Sequence, residues 1–149
     1  MGGDRLLLDV MLGKLATYLR MCGYDAVYAG DEGLEADDEI GARARSGGRT
    51  LVTRDRELAA GTEDAVLLES KEIEDQLAEC AAAGLELGLP EEPDRCSVCN
   101  GRVVVAEARP EHAPDDVPTV WRCPDCGQYF WKGSHWERVR ETLRRATGE

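Results

Sequence analysis

Arg5-Leu6-Leu7-Leu8-Asp9 is the stretch on which the fold turns. A short apolar run that closes on an acid suits a strand buried on both faces, as in a parallel sheet. Beyond it, Leu12, Leu15, Ala16, Leu19 and Cys22 recur at helical spacing, and Gly23 supplies a stop. Asp25–Ala29 reads as a second strand and Gly30-Asp31-Glu32-Gly33 as a loop. Asp37 or Asp38 can cap a helix through Ile40 and Ala44 that Gly47-Gly48 ends. Arg49–Thr53 is a third strand, Arg54–Leu58 the start of a helix, and Ala65–Leu68 a fourth strand. Ser70 can cap a helix carrying Ile73, Leu77, Cys80 and Ala81 on one face, with Gly84 at its end. Strands alternating with helices predict an α/β three-layer domain with a mostly parallel sheet. Gly88–Asp94, acidic and carrying two prolines, reads as a linker.

The segment after the linker is organised by cysteine. Cys96-Ser97-Val98-Cys99 and Cys123-Pro124-Asp125-Cys126 are two Cys-x-x-Cys pairs with 23 residues between them. Each pair can present two sulfurs to one ion from a tight turn, which predicts a closed, structural zinc site of four thiolates. Gly101 and Gly127 follow the pairs, where such a turn favours a residue without a Cβ. Val103–Ala106, Thr119–Arg122 and Gln128–Trp131 are short extended candidates around the Pro110–Pro118 loop, and residues 136–147 read as a closing helix. So small a module buries little surface, so zinc must supply much of its folding energy. Cys22 and Cys80, on apolar helix faces, read as core residues.

The chain has 149 residues, 18 basic against 30 acidic, and a formal net charge of −12. Residues 1–93 hold all of the excess acid, and residues 94–149 are balanced. Lysine is confined to Lys14, Lys71 and Lys132. Acidic, lysine-poor surfaces suit concentrated salt, which screens self-repulsion, so a salt-adapted source is expected and the acidity says little about the substrate. No apolar run approaches the ~20 residues of a membrane span, and the N-terminus lacks a signal pattern. A cytoplasmic protein with no membrane partner is the expectation.

Three acids stand where an open parallel sheet places its ligand crevice, at the carboxyl ends of strands. Asp9 closes the first strand, Asp55 lies just past the third, and Asp37 or Asp38 begins the helix between the second and third. Carboxylates gathered there repel one another unless a divalent cation compensates them. Mg²⁺ or Mn²⁺ held by Asp9, Asp37 and Asp55 suits the hydrolysis of a phosphodiester. Helix capping is an alternative use for Asp37 and Asp55. Asp9 is harder to explain structurally, because an ionisable group after three leucines costs stability without a partner. Lys14, Arg20, Arg54 and Arg56 flank these acids and can hold phosphate. Tyr129, Phe130, Trp131 and Trp136, interleaved with Lys132 and His135, suit stacking of single-stranded RNA bases. The same rings also serve as core for a tiny module.

Leu8–Asp25, Asp37-Asp38-Glu39-Ile40 and Arg49–Leu58 together resemble the Mut-seven C-terminal RNase domain family, and Cys123–His135 is similar to its zinc ribbon. The resemblance implies a PIN-like three-layer domain over residues 1–87, a linker over 88–94, and a small all-β zinc ribbon with a C-terminal helix over 95–149. It implies metal-dependent RNA cleavage, with Asp9, Asp37 and Asp55 as the matching acids and Asp38 as the alternative to Asp37. Glu57 matches the place where some related domains carry a further acid. RNA is then the expected partner, with a homodimer left open. A second function class is a non-catalytic RNA-binding or adaptor protein that uses the ribbon.

Overall fold

A computed structural model describes residues 5–148 of the chain. The first part alternates β1 (Arg5–Leu8), α1 (Gly13–Met21), β2 (Asp25–Tyr28), α2 (Asp37–Gly47), β3 (Thr50–Thr53), α3 (Arg56–Ala60), β4 (Ala65–Leu67) and α4 (Ile73–Ala82), with a 3-10 turn at Ala29–Glu32. The four strands form one parallel sheet in the order β2-β1-β3-β4. Central β1 pairs on both sides, with Leu8 opposite Tyr28 and Val52.

Alternation along β1 sends side chains to two separate apolar clusters. Leu6 and Leu8 pack with Leu12, Leu15 and Leu19 of the α1 region and Leu77 and Cys80 of α4. Leu7 packs with Ile40 and Ala44 of α2 and Leu58 of α3. Leu6, Leu7 and Leu8 are all fully buried, as a two-faced strand requires. The expected α/β class with a parallel sheet is thus present.

The second part carries a three-stranded antiparallel sheet of β5 (Val104–Val105), β6 (Trp121–Arg122) and β7 (Tyr129–Phe130), then α5 (Ser134–Thr147). Helix α5 begins two residues earlier than the spacing suggests. It returns to the first part: Val139 and Leu143 join the cluster that contains Leu77 and Cys80, and Arg145 pairs with Glu74 of α4 (3.3 Å).

Some local expectations need correction. Ser70 does not cap α4, which starts later at Ile73 with Glu72 as its N-cap. Ser70 instead offers its carbonyl to Gln76 Nε2, and its N–H to the Glu79 carboxylate. Asp37 and Asp38 do not cap α2; the N-cap is Ala36, whose N–H reaches back to Glu39 Oε1 (3.3 Å). Among the described residues no helix is long and apolar enough to cross a membrane.

Candidate active site and metal centre

The parallel sheet puts the ends of β1 and β3 side by side, and the acid chemistry starts there. Asp9 follows β1 and is 3% exposed. Its Oδ1 accepts the Val10 N–H (2.7 Å), and its Oδ2 accepts the Thr53 hydroxyl (2.6 Å). Thr53 Oγ1 in turn accepts the Asp55 N–H (3.0 Å). Asp55 is the N-cap of α3: its Oδ1 accepts the N–H groups of Glu57 (2.9 Å) and Leu58 (3.1 Å). Its Oδ2 accepts no hydrogen bond among the described residues. Asp9, Thr53 and Asp55 therefore form one hydrogen-bonded chain across two strand ends.

Asp37 enters from the first turn of α2 and is exposed, with no capping bond to occupy it. Its carboxyl is held above the ordinary carboxylate range, first by desolvation, then by repulsion from Asp55, Asp9, Glu57 and Asp38. Asp37 is thus near enough to feel each of the other four acids. Asp38 Oδ1 accepts the Glu39 N–H (3.1 Å) and faces the cleft between α2 and α3 that Asp37 and Glu57 also line. Arg45 lines that cleft without forming an ion pair with them. No three of these acids bring ligand atoms within 4.8 Å of one another, a spacing met among the described residues by the cysteines alone.

The basic residues expected beside the acids have differing fates. Lys14 is exposed on α1, next to a shallow cleft against the start of α4. Arg56 is exposed, and Arg54 is half-buried with an Nε that meets no acceptor among the described residues. Arg20 is buried and committed elsewhere, contrary to a phosphate-holding role. It donates to the carbonyls of Ala26 (2.8 Å), Ser97 (3.2 Å) and Val98 (3.2 Å), and Asp31 stands 3.7 Å away. Its place is the joint between the sheet edge and the first cysteine turn.

Cys96, Cys99, Cys123 and Cys126 converge, with all four sulfurs within 4.8 Å of one another. The Cys96–Cys126 and Cys99–Cys123 separations are both 3.6 Å. That is far beyond a disulfide bond of about 2.05 Å. It is close to the ~3.8 Å edge of a tetrahedron with Zn–S bonds of about 2.3 Å. Desolvation and the neighbouring thiols push Cys99 up to about 12, while the Gln128 N–H and the other cysteines draw Cys126 down; a bound cation favours the thiolate form of all four. The donor set fits zinc and, being complete, leaves no open position.

The two turns differ in a way the spacing does not reveal. In the second, Gly127 takes the left-handed conformation (φ +84°); in the first, it is Asn100 (φ 74°), directly after Cys99. Gly101 serves another purpose: a Cβ there would stand 2.5 Å from Asp125 Oδ2 and 3.1 Å from Cys123 Sγ. Asn100 also ties the turn to the edge strand β2. Its Oδ1 accepts the Ala26 N–H (3.0 Å), and its Nδ2 donates to Asp25 (2.8 Å). With Arg20 on the Ala26 carbonyl, the outward backbone groups of that edge residue are both satisfied.

Trp131 is half-buried, and Lys132 and His135 are exposed beside it. Trp131 packs against the small apolar cluster of Ala113, Val117 and Val120, with His112 at 5.5 Å. Lys132 lies over the Trp136 ring (5.7 Å). Sequence reasoning overlooked Thr53 and Asn100. Thr53 was visible in part, as the last residue of a strand adjacent to that of Asp9. Comparison with curated proteins found no match, and comparison with solved structures found none. The sequence profile of the Mut7-C RNAse domain matches residues 4–143, nearly the whole length, so the chain belongs to the Mut7-C RNAse domain family.

Proposed function

We propose that this protein is a divalent-cation-dependent ribonuclease, acting as an endonuclease on RNA phosphodiester bonds. In this reading residues 1–87 form a PIN-like three-layer nuclease domain, 88–94 a linker, and 95–149 a zinc ribbon with its helix, working in the cytoplasm. The observation that carries it is Asp9. It is a buried carboxylate with no cation partner among the described residues, and it is one of the acids that repel Asp37. Hard oxygen donors that form no ion pair with a lysine or arginine among the described residues, although Arg45 lines the cleft, fit Mg²⁺ or Mn²⁺. Mg²⁺ takes one or two carboxylates and keeps several waters, which suits acids spaced more widely than the cysteines.

Asp9, Asp37 and Asp55 would hold the ion, with Asp38 as the alternative to Asp37. Bound there, the ion polarises a phosphoryl oxygen and makes a water more acidic. The Thr53 hydroxyl and the Val10 N–H fix the Asp9 carboxylate, so its position is set before substrate arrives. The α3 turn fixes Asp55 through Oδ1 and leaves Oδ2 to face the ion; Asp9 or Asp55 can assist removal of the attacking water's proton. Arg54, Arg56 and Lys14 are the basic residues available for phosphate, and Trp131, Lys132 and His135 the ribbon residues for the strand.

A second reading, a non-catalytic RNA-binding protein, draws on the wide spacing of the acids and on Asp55's work as a helix cap. One assay separates the two. Zinc-loaded protein is incubated with fluorescent single-stranded RNA and Mn²⁺, beside Asp9→Asn. Cleavage by the parent and none by the variant supports the ribonuclease. Equal cleavage by both removes the acid site from the reading.

A further inference from the structure

The ribbon and the first part enclose a cavity of about 360 Å³, at the smaller end of the volumes that ligand pockets occupy (roughly 300–1,000 Å³). Phe130, Trp131 and Trp136 give it aromatic walls. Among the described residues, its ionisable lining residues apart from Tyr129 are Arg95 and His135, and none of its lining residues carries a carboxylate, in a chain of formal net charge −12. The indole Nε1 of Trp136, itself only 5% exposed, is a buried donor in that wall without an acceptor among the described residues; Arg95 Nε is another, but the rest of that guanidinium is engaged by the Asn100 carbonyl (3.0 Å) and Asp25 (3.7 Å). Ser134 and His135 of the wall begin α5, a 14-residue helix whose N-cap, Gly133, supplies no side-chain acceptor and whose first turn carries Glu137. The first N–H groups of that helix, at the positive end of its dipole, are left for an anion. Phe130 belongs to none of the apolar clusters, so its ring is not spent on the ribbon's core.

Resting on the ribonuclease reading, we propose that this cavity holds one unstacked nucleotide of the single-stranded RNA substrate. The base lies against Phe130 and its aromatic neighbours, and the phosphate lies toward His135 and the start of α5. The acids stand at the carboxyl end of the sheet, where α1 begins. Met21, the last residue of α1, lines the cavity. The nine residues of α1 span about 13 Å. The held nucleotide is therefore separated from the scissile bond, and the cavity fixes cleavage at a set distance along the strand.

The test uses the full, zinc-loaded chain in an Asp9→Asn background, so binding is read without cleavage. Fluorescence anisotropy with a labelled RNA of about a dozen nucleotides, within the site sizes of single-strand binders, compares this protein with its Phe130→Ala and His135→Ala derivatives. Thermal melts and zinc content check that each is folded. Loss of one stacked base weakens binding by about five- to 150-fold. The expected result is a loss in that range for Phe130→Ala and a smaller one for His135→Ala. An RNA series with a single abasic position should lose affinity at one place only. Unchanged affinity in folded Phe130→Ala overturns the proposal and leaves the ribonuclease reading standing if the parent chain still cleaves. Adenosine monophosphate binding as tightly as the RNA also overturns it, in favour of a free-nucleotide site. Absence of both binding and cleavage in the parent overturns the two together.

Discussion

Replacing Thr53 by valine tests the part of the site that the fold itself builds. The two side chains are nearly the same size, and Thr53 is fully buried, so the change removes a hydroxyl and little else. That hydroxyl donates to Asp9 Oδ2 (2.6 Å) and accepts the Asp55 N–H (3.0 Å). A hydrogen bond to a charged group contributes roughly 1.5–3 kcal/mol and a neutral one about 0.5–1.5 kcal/mol. Their loss together should cost about 2–4 kcal/mol. For a chain of 149 residues this lowers Tm by roughly 4–16 °C. Thr53→Ser keeps the hydroxyl and should recover most of the loss. Calorimetry gives the stabilities, and Mn²⁺ titration followed by nuclear relaxation gives the cation affinity. That affinity should fall in Thr53→Val and return in Thr53→Ser. If Thr53→Val melts with the parent and binds Mn²⁺ as well, the hydroxyl does not hold Asp9 and the proposed preorganisation is wrong.

Asp37→Asn should raise Tm in metal-free buffer, because it relieves the repulsion that Asp37 feels from Asp55, Asp9 and Glu57, while Mn²⁺-dependent cleavage is lost; a lower Tm would mean the carboxylate has a stabilising partner. Asn100→Gly keeps the left-handed backbone but removes the bonds to Ala26 and Asp25, so a cost of about 1–3 kcal/mol is expected in urea unfolding, and no cost would show that the joint is not held there. Asp25 is subject to burial, which raises its pKa, but hydrogen bonds from Arg49 and Asn100 and the charges of Arg49 and Arg95 outweigh this and hold it below its ordinary 3.8. A depressed folded-state pKa gives stability that is complete above the ordinary value and lost as pH falls through the folded one. Acid unfolding below about pH 4 should therefore be shallower in Asp25→Asn, measured by circular dichroism against the parent.

Much of the fold is legible in the sequence because local signals agree. Leu6-Leu7-Leu8 has no polar residue to assign to a solvent face, so a strand covered on both sides is the economical reading, and all three are buried. The cysteine pairs are legible because their spacing encodes the turn itself. Legibility fails where one residue serves two distant elements. Arg20 reads as a cation beside the acids that can hold phosphate, and only the return of Ser97 and Val98 to the β2 edge shows its use. The second role of Asn100 depends on contacts 74 and 75 residues away. Helix α5 is visible as a helix but not as a partner of α4, since the surface it covers lies on the other side of the cysteine-bearing segment in sequence.

Absence of an ion pair does not by itself mark the acids as functional. With 30 acids and 18 basic residues, many carboxylates must go without a cation. On an exposed surface that costs little, because water and salt screen them. Asp9 differs because it is buried, and an unpaired buried charge is expensive. The chain is able to pair buried charge: Arg49 meets Asp25 at 2.9 Å, and Arg20 is given three carbonyls. Arg54 lies next to Asp55 in sequence, yet it forms no ion pair with that acid and its Nε finds no acceptor among the described residues. A fold under selection for stability alone would turn such an arginine onto Asp9 or replace the acid. Keeping the carboxylate buried, hydrogen-bonded and uncompensated is the arrangement expected where a cation from solution completes the site.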